Sequence, residues 1–267
     1  MRRPDRLLES AHFSHGELRQ AHVHGRPAPH EKRTTMKVAV SSSSFAEPLA
    51  SGELTQLEWL ERCACDLAAD GVIFDREHFP RTDAEYVAQL KKVAVDLGLV
   101  PVALDAGRLF EPDAAIGDIF KLATGLGVLF VLARLPAPGD VPPATFVAGV
   151  SAAKSAVREA KRENITILAV PAAGTIATNL AELRHFVKDV DSAWLRFALR
   201  AGAEPDSLGT RERALVVFVP DADVFSVAAI DEGARPWLAL EGAADRAHVA
   251  SLRAAAAKKT LAVANVS

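Results

Sequence analysis

From Met36 onward, short apolar runs alternate with longer amphipathic stretches. Lys37–Val40 reads as a strand ending in the polar run Ser41–Ser44. Thr55–Ala69 reads as a helix with Leu57, Leu60, Cys63 or Ala64, and Leu67 on one stripe. Further strands are predicted over Gly71–Phe74, Val100–Leu104, Val128–Ala133, Ile165–Val170, Trp194–Leu199, Ala214–Val219 and Pro236–Leu240. Helices are predicted over Thr82–Leu97, Pro112–Thr124, Pro143–Arg162, Asn179–Lys188, Pro205–Arg213 and Ala243–Lys259. Thr82 or Asp83 and Asn179 are N-cap residues, and Gly98 is a stop.

The strands are nearly continuous in Val, Ile and Leu, as parallel strands covered on both faces require. Open doubly wound sheets have fewer strands, and eight βα units in about 230 residues fit a (β/α)8 TIM barrel. The seventh unit is the thinnest, because Asp221–Arg235 leaves little room for a full helix. No G-x-G-x-x-G follows the first strand and no Walker A motif occurs, so neither nucleotide fingerprint is present.

Composition agrees with one large soluble domain. The 267 residues are 49% hydrophobic and 24% charged, which excludes a wholly disordered chain, a collagen and a coiled coil. No apolar run reaches the roughly 18 residues of a membrane span, and a net charge of −3 argues against a nucleic-acid partner. Cys63 and Cys65 cannot build a disulfide framework, which points to reduced thiols and a cytoplasmic location.

Residues 1–35 differ from the rest. They hold five of the eight histidines and a charge of +3, leaving −6 for the remainder. They lack periodicity and a signal-peptide core, so a disordered N-terminal extension is expected, with residues 36–267 forming the barrel and Met36 as the start of the working polypeptide.

On the barrel reading, residues just after each strand line the open C-terminal mouth. They are Ser42, Ser43, Ser44, Asp75, Arg76, Glu77, His78, Asp105, Arg134, Arg200, Asp221 and Glu241. His78 and Glu241 are the candidate acid–base groups, His78 because its ordinary pKa lies near neutrality. Ser43, Asp75, Arg76, Glu77, Asp105, Arg134 and Arg200 are candidate substrate contacts. The arginines could bind a phosphate or carboxylate, or could neutralise Asp75, Asp105 and Glu241. His78 could equally cap backbone, and Glu241 could pair with Arg200.

The stretch from Ser41 to Leu104 opens with a strand and small polar residues, continues through a helix carrying Leu57-Glu58, and then reads Asp70-Gly71-Val72-Ile73-Phe74-Asp75 and Asp96-Leu97-Gly98-Leu99. It resembles the xylose isomerase-like TIM barrels, which include sugar phosphate isomerases and epimerases. The resemblance spans Met36–Val131 and continues beyond it by element order. It implies a small sugar or sugar phosphate as substrate and proton transfer beside a carbonyl. It also implies a divalent metal held by a Glu, an Asp, a His and a Glu after strands five to eight. This chain has Val170-Pro171-Ala172, Leu199-Arg200-Ala201 and Val219-Pro220-Asp221 at the first three places and retains only Glu241 at the fourth. The expected reading is therefore a sugar phosphate isomerase/epimerase-like barrel with most metal ligands lost and no cofactor. The alternatives are a metal-free enzyme using His78 and Glu241, and an inactive barrel binding an anionic carbohydrate or a protein. A metal-dependent DNA endonuclease is the least supported, since it needs more histidines than the barrel offers.

Overall fold

The computed structural model describes residues 36–111, 113–140, 142–200, 214–219, 236–242 and 244–264, with side chains to residue 257. The segment 1–35, Asp221 and the expected helix Pro205–Arg213 lie outside the described residues.

Eight strands form the inner wall: β1 (Val38–Ser41), β2 (Gly71–Asp75), β3 (Val100–Asp105), β4 (Phe130–Arg134), β5 (Thr166–Val170), β6 (Leu195–Arg200), β7 (Ala214–Val219) and β8 (Trp237–Leu240). Each pairs in parallel with the next, and β8 pairs with β1, closing the barrel in chain order. The described helices are α1 (Ala46–Ser51), α2 (Gln56–Glu61), α3 (Ala84–Asp96), α4 (Ile116–Leu126), α5 (Pro142–Glu163), α6 (Leu180–Val190) and α7 (Arg246–Ala264). This is the expected (β/α)8 TIM barrel.

Local chemistry explains the helix starts. Thr55 and Glu58 form a reciprocal capping box at α2, Asp83 caps α3, and Asn179 caps α6. Two helical runs depart most from expectation. The run Thr55–Ala69 is α2 followed by a π turn over Arg62–Asp66, closed by Leu67 N–H on Arg62 O at 3.0 Å. The buried stripe of Leu60, Cys63 and Leu67 continues through this turn, so the pattern reads as one helix. α4 begins at Ile116 rather than Pro112, because Leu109 and Phe110 first turn into the core.

Side chains along each strand alternate between two cores. Val38 and Val40, Val72 and Phe74, Val131 and Ala133, and Leu238 and Leu240 face the helices. Ala39, Ile73, Ala103, Leu132, Leu168, Ala198, Val216, Phe218 and Ala239 fill the barrel interior. In the outer core Trp59 meets Phe74 edge-on at 5.4 Å, and Phe74 meets Phe79 at 5.8 Å. Fully burying each such ring contributes about 1.5–3 kcal/mol.

Several strands run one residue further than the apolar pattern indicates. Ser41, Asp75, Asp105, Arg134 and Arg200 are all paired, as Asp75 with Asp105 and Arg134 with Val170. Backbone pairing continues there because these polar side chains emerge at the open end.

At the closed end, Gly71 leaves room for Trp237, over which Lys37 Nζ sits 5.4 Å from the ring centroid. A Cβ on residue 71 would lie 2.7 Å from Val100 O and 2.9 Å from Trp237. Overpacking outweighs the small entropic gain of losing a glycine. Gly71→Ala is therefore expected to lower unfolding stability by about 1–3 kcal/mol. Urea unfolding checks this, and an unchanged midpoint would contradict the tight approach.

Candidate functional site at the barrel mouth

Alternation places the mouth side chains. One inward step beyond Ala39, Ile73, Ala103, Leu132, Ala198 and Ala239 come Ser41, Asp75, Asp105, Arg134, Arg200 and Glu241. Six of the eight strands thus contribute a polar inward residue at the end where barrel enzymes carry their chemistry.

Two aspartates stand side by side on β2 and β3 and are organised alike. Asp75 Oδ1 accepts Glu77 N–H at 2.9 Å, and Asp105 Oδ1 accepts Gly107 N–H at 2.8 Å. Gly107 has φ +59°, a conformation that favours glycine, and its carbonyl accepts Arg134 N–H at 2.8 Å. The Arg134 guanidinium passes next to Gly107: an added Cβ there would meet Nη2 at 3.8 Å.

The charges are not independent. Burial pushes the Asp105 carboxyl from its ordinary 3.8 up to about 6. Gly107 N–H and Arg134 oppose that rise, while Asp75 and Glu241 reinforce it. Burial also raises Glu241, against the pull of Arg200 and Arg134. Arg134 therefore acts on both acids. Arg200 Nη2 lies 3.0 and 3.1 Å from the two carboxylate oxygens of Glu241. That ion pair spans β6 to β8 across β7.

The other candidates lie around this centre. Ser42 is fully buried, and its Oγ accepts Asp75 N–H at 2.8 Å and bonds His78 Nδ1 at 2.9 Å. One hydroxyl so couples the β1 loop to the start of the Arg76–His78 turn. Ser43 is exposed and bonds Ser41 Oγ at 2.8 Å, and Ser44 Oγ donates to Leu240 O at 3.3 Å. Arg76 and Glu77 are exposed on the turn after β2. Sequence reasoning singled out Ser43 in this loop, where Ser42 makes the buried connection. Nothing in four consecutive serines distinguishes the one that turns inward. It also treated Asp105 as a contact residue. Its displaced titration comes from burial and from Asp75, Glu241 and Arg134, which only the closed barrel assembles.

At the implied positions β5 ends in the buried, apolar Val170 and β6 in Arg200, and both oxygens of Glu241 face a guanidinium. Among the described residues no three His, Cys, Asp or Glu groups converge in a way that could hold a metal ion. A separate open groove of about 570 Å³ lies on the outer flank between α4 and α5. Within it Arg162 pairs with Glu159 at 3.0 Å, and Arg158 donates to the Ser155 hydroxyl at 2.9 Å.

A carboxyl with a raised folded-state pKa binds its proton more tightly when folded. Its stabilising contribution is full below about pH 4 and is lost as pH rises through about 6. Asp105→Asn is expected to remove a fall in stability of up to about 3 kcal/mol between pH 4 and 7. Urea unfolding of both proteins across that range checks the difference, and parallel pH profiles would contradict the burial of Asp105.

No family model matches the chain, nor does any curated protein. Solved structures do. The chain is similar to D-psicose 3-epimerase from Clostridium cellulolyticum H10, with a TM-score of 0.63 and 16% identity over 86% of this chain and 99% of that one. It is similar to a xylose isomerase domain-containing protein from Salmonella typhimurium LT2, with a TM-score of 0.59 and 13% identity over 85% and 97%. It is also similar to 3-keto-D-glucoside 4-epimerase from E. coli, with a TM-score of 0.57 and 14% identity over 87% and 100%. These likenesses, all at or below 16% identity, agree with the fold: this chain is a (β/α)8 TIM barrel.

Proposed function

We propose that the mouth binds a small sugar and moves a proton on the carbon beside its carbonyl group, the chemistry of an isomerase or epimerase. The observation that carries this reading is Asp105, a desolvated carboxyl held near a pKa of 6 with Asp75, Glu241 and the Arg134 guanidinium acting on it. A proton-transfer group works best when its pKa is near the working pH. Arginine N–H groups suit the developing enediolate oxygen, which is where such a reaction builds negative charge.

In this reading Glu241 and His78 are the acid–base groups expected from the sequence, and Asp105 joins them. Asp75, Arg134 and Arg200 contact the substrate, and Ser43, Arg76 and Glu77 border the opening. Three carboxylates face two guanidiniums here, so a neutral sugar is favoured over a sugar phosphate, which would add negative charge. The neighbours whose names identify them as sugar epimerases support the choice of substrate class. A second reading, a barrel that binds a carbohydrate without reacting, draws on the Arg200–Glu241 ion pair, since that pairing occupies one of the acids the reaction uses.

The test is exchange. The full chain is incubated in D2O with a panel of ketoses and aldoses, with sugar phosphates as a separate arm. NMR then follows deuterium entering the carbon beside the carbonyl. Wild type is expected to catalyse exchange, and Asp105→Asn and Glu241→Gln to lose roughly 100-fold or more. Saturable binding without exchange would favour the second reading, and neither binding nor exchange would overturn the sugar assignment.

A further inference from the structure

Among the described residues no set of His, Cys, Asp or Glu donors converges at the mouth to hold a divalent ion, and proton transfer beside a carbonyl calls for a positive group on the oxygen that gains charge. We infer that Arg200 is a built-in cation: its guanidinium, held on both carboxylate oxygens of Glu241, takes the place of a divalent ion and, with Arg134, meets the carbonyl oxygen of a neutral hydroxy-carbonyl ligand. The inference rests on the mouth being the working site and deepens that reading.

Three observations carry it. Arg200 lies one inward step beyond Ala198, so the strand delivers its side chain to the open end rather than to the helices. Its Nη2 is 3.0 and 3.1 Å from the two oxygens of Glu241, the acid this chain retains at the fourth implied position. An ion would have to displace this pairing before it could use that carboxylate. Finally, Val170 stands at the end of β5 and is buried, so that strand end offers no side-chain oxygen to an ion.

The charge is also permanent. A guanidinium cannot be deprotonated in a protein, so the site keeps its positive group at every working pH. The geometry still leaves Arg200 able to serve a ligand, because a guanidinium has five N–H donors and the contact with Glu241 is made through Nη2. Arg134, whose field reaches both Asp105 and Glu241, supplies the second positive group.

Manganese binding to the full-length protein tests the inference, with free Mn²⁺ followed by electron paramagnetic resonance. Wild type is expected to show no Mn²⁺ that depends on Glu241, so wild type and Glu241→Gln should titrate alike. Arg200→Asp removes the guanidinium and adds a carboxylate, and is expected to bind Mn²⁺ at least about tenfold more tightly than wild type, since ligand charge sets such affinities. Thermal melting confirms folding. If Arg200→Asp does not fold, Arg200→Gln answers the same question with a smaller gain, and Arg200→Lys, which keeps the charge, is expected to gain nothing. One equivalent of Mn²⁺ on wild type that Glu241→Gln removes would overturn the inference. So would a folded Arg200→Asp, or failing that a folded Arg200→Gln, that binds Mn²⁺ no better than wild type. Comparing variants cancels any contribution from histidines elsewhere in the chain. Sugar binding by wild type in EDTA reports on the underlying reading: its absence would sink the sugar assignment, whereas manganese on wild type would sink only the built-in cation.

Discussion

Closure of the parallel sheet is the constraint from which the rest follows. Once β8 pairs with β1, an inward side chain either packs in the interior or emerges at an open end. The strand period of two then decides which residues share that fate. Ala39, Ile73, Ala103, Leu132, Ala198 and Ala239 fill the interior, and the next inward residues are Ser41, Asp75, Asp105, Arg134, Arg200 and Glu241. Small and branched side chains below and charged ones above form one arrangement, because the packed layer keeps water from approaching the acids from beneath.

That packing raises the proton affinity of two carboxyls at the mouth. Asp105 is displaced mainly by burial, with Asp75 and Glu241 adding to the rise and Arg134 opposing it. Glu241 is raised by burial even though Arg200 sits on both its oxygens. Desolvation and pairing thus pull in opposite directions at neighbouring positions, and desolvation wins at both. The two guanidiniums keep three acids at one opening from repelling each other apart. They also leave the layer close to neutral, the basis for preferring an uncharged ligand.

The fold was readable from the chain because its signals are local. Strand–helix alternation, the caps at Asp83 and Asn179, and the apolar runs of parallel strands need only neighbouring residues. Where the reading missed, the missing information was spatial. The apolar pattern stops one residue short of the strand ends at Asp75, Asp105, Arg134 and Arg200, since a polar residue breaks an apolar run without breaking backbone pairing. The π turn after α2 is not legible in the sequence because its buried stripe has ordinary helical spacing.

The site divides in the same way. Sequence alone determined that a set of acids, arginines and one histidine follows the strands of a barrel, because alternation and strand count are properties of the chain. It left open whether Arg200 would pair with Glu241, and which serine would turn inward. Tertiary structure decided both. It put β6 and β8 at the span of an ion pair, and it buried Ser42 between the backbone of Asp75 and the ring of His78. Distances across the barrel and the loss of solvent around Asp105 exist only after closure, because they depend on residues far apart in sequence meeting where water is scarce.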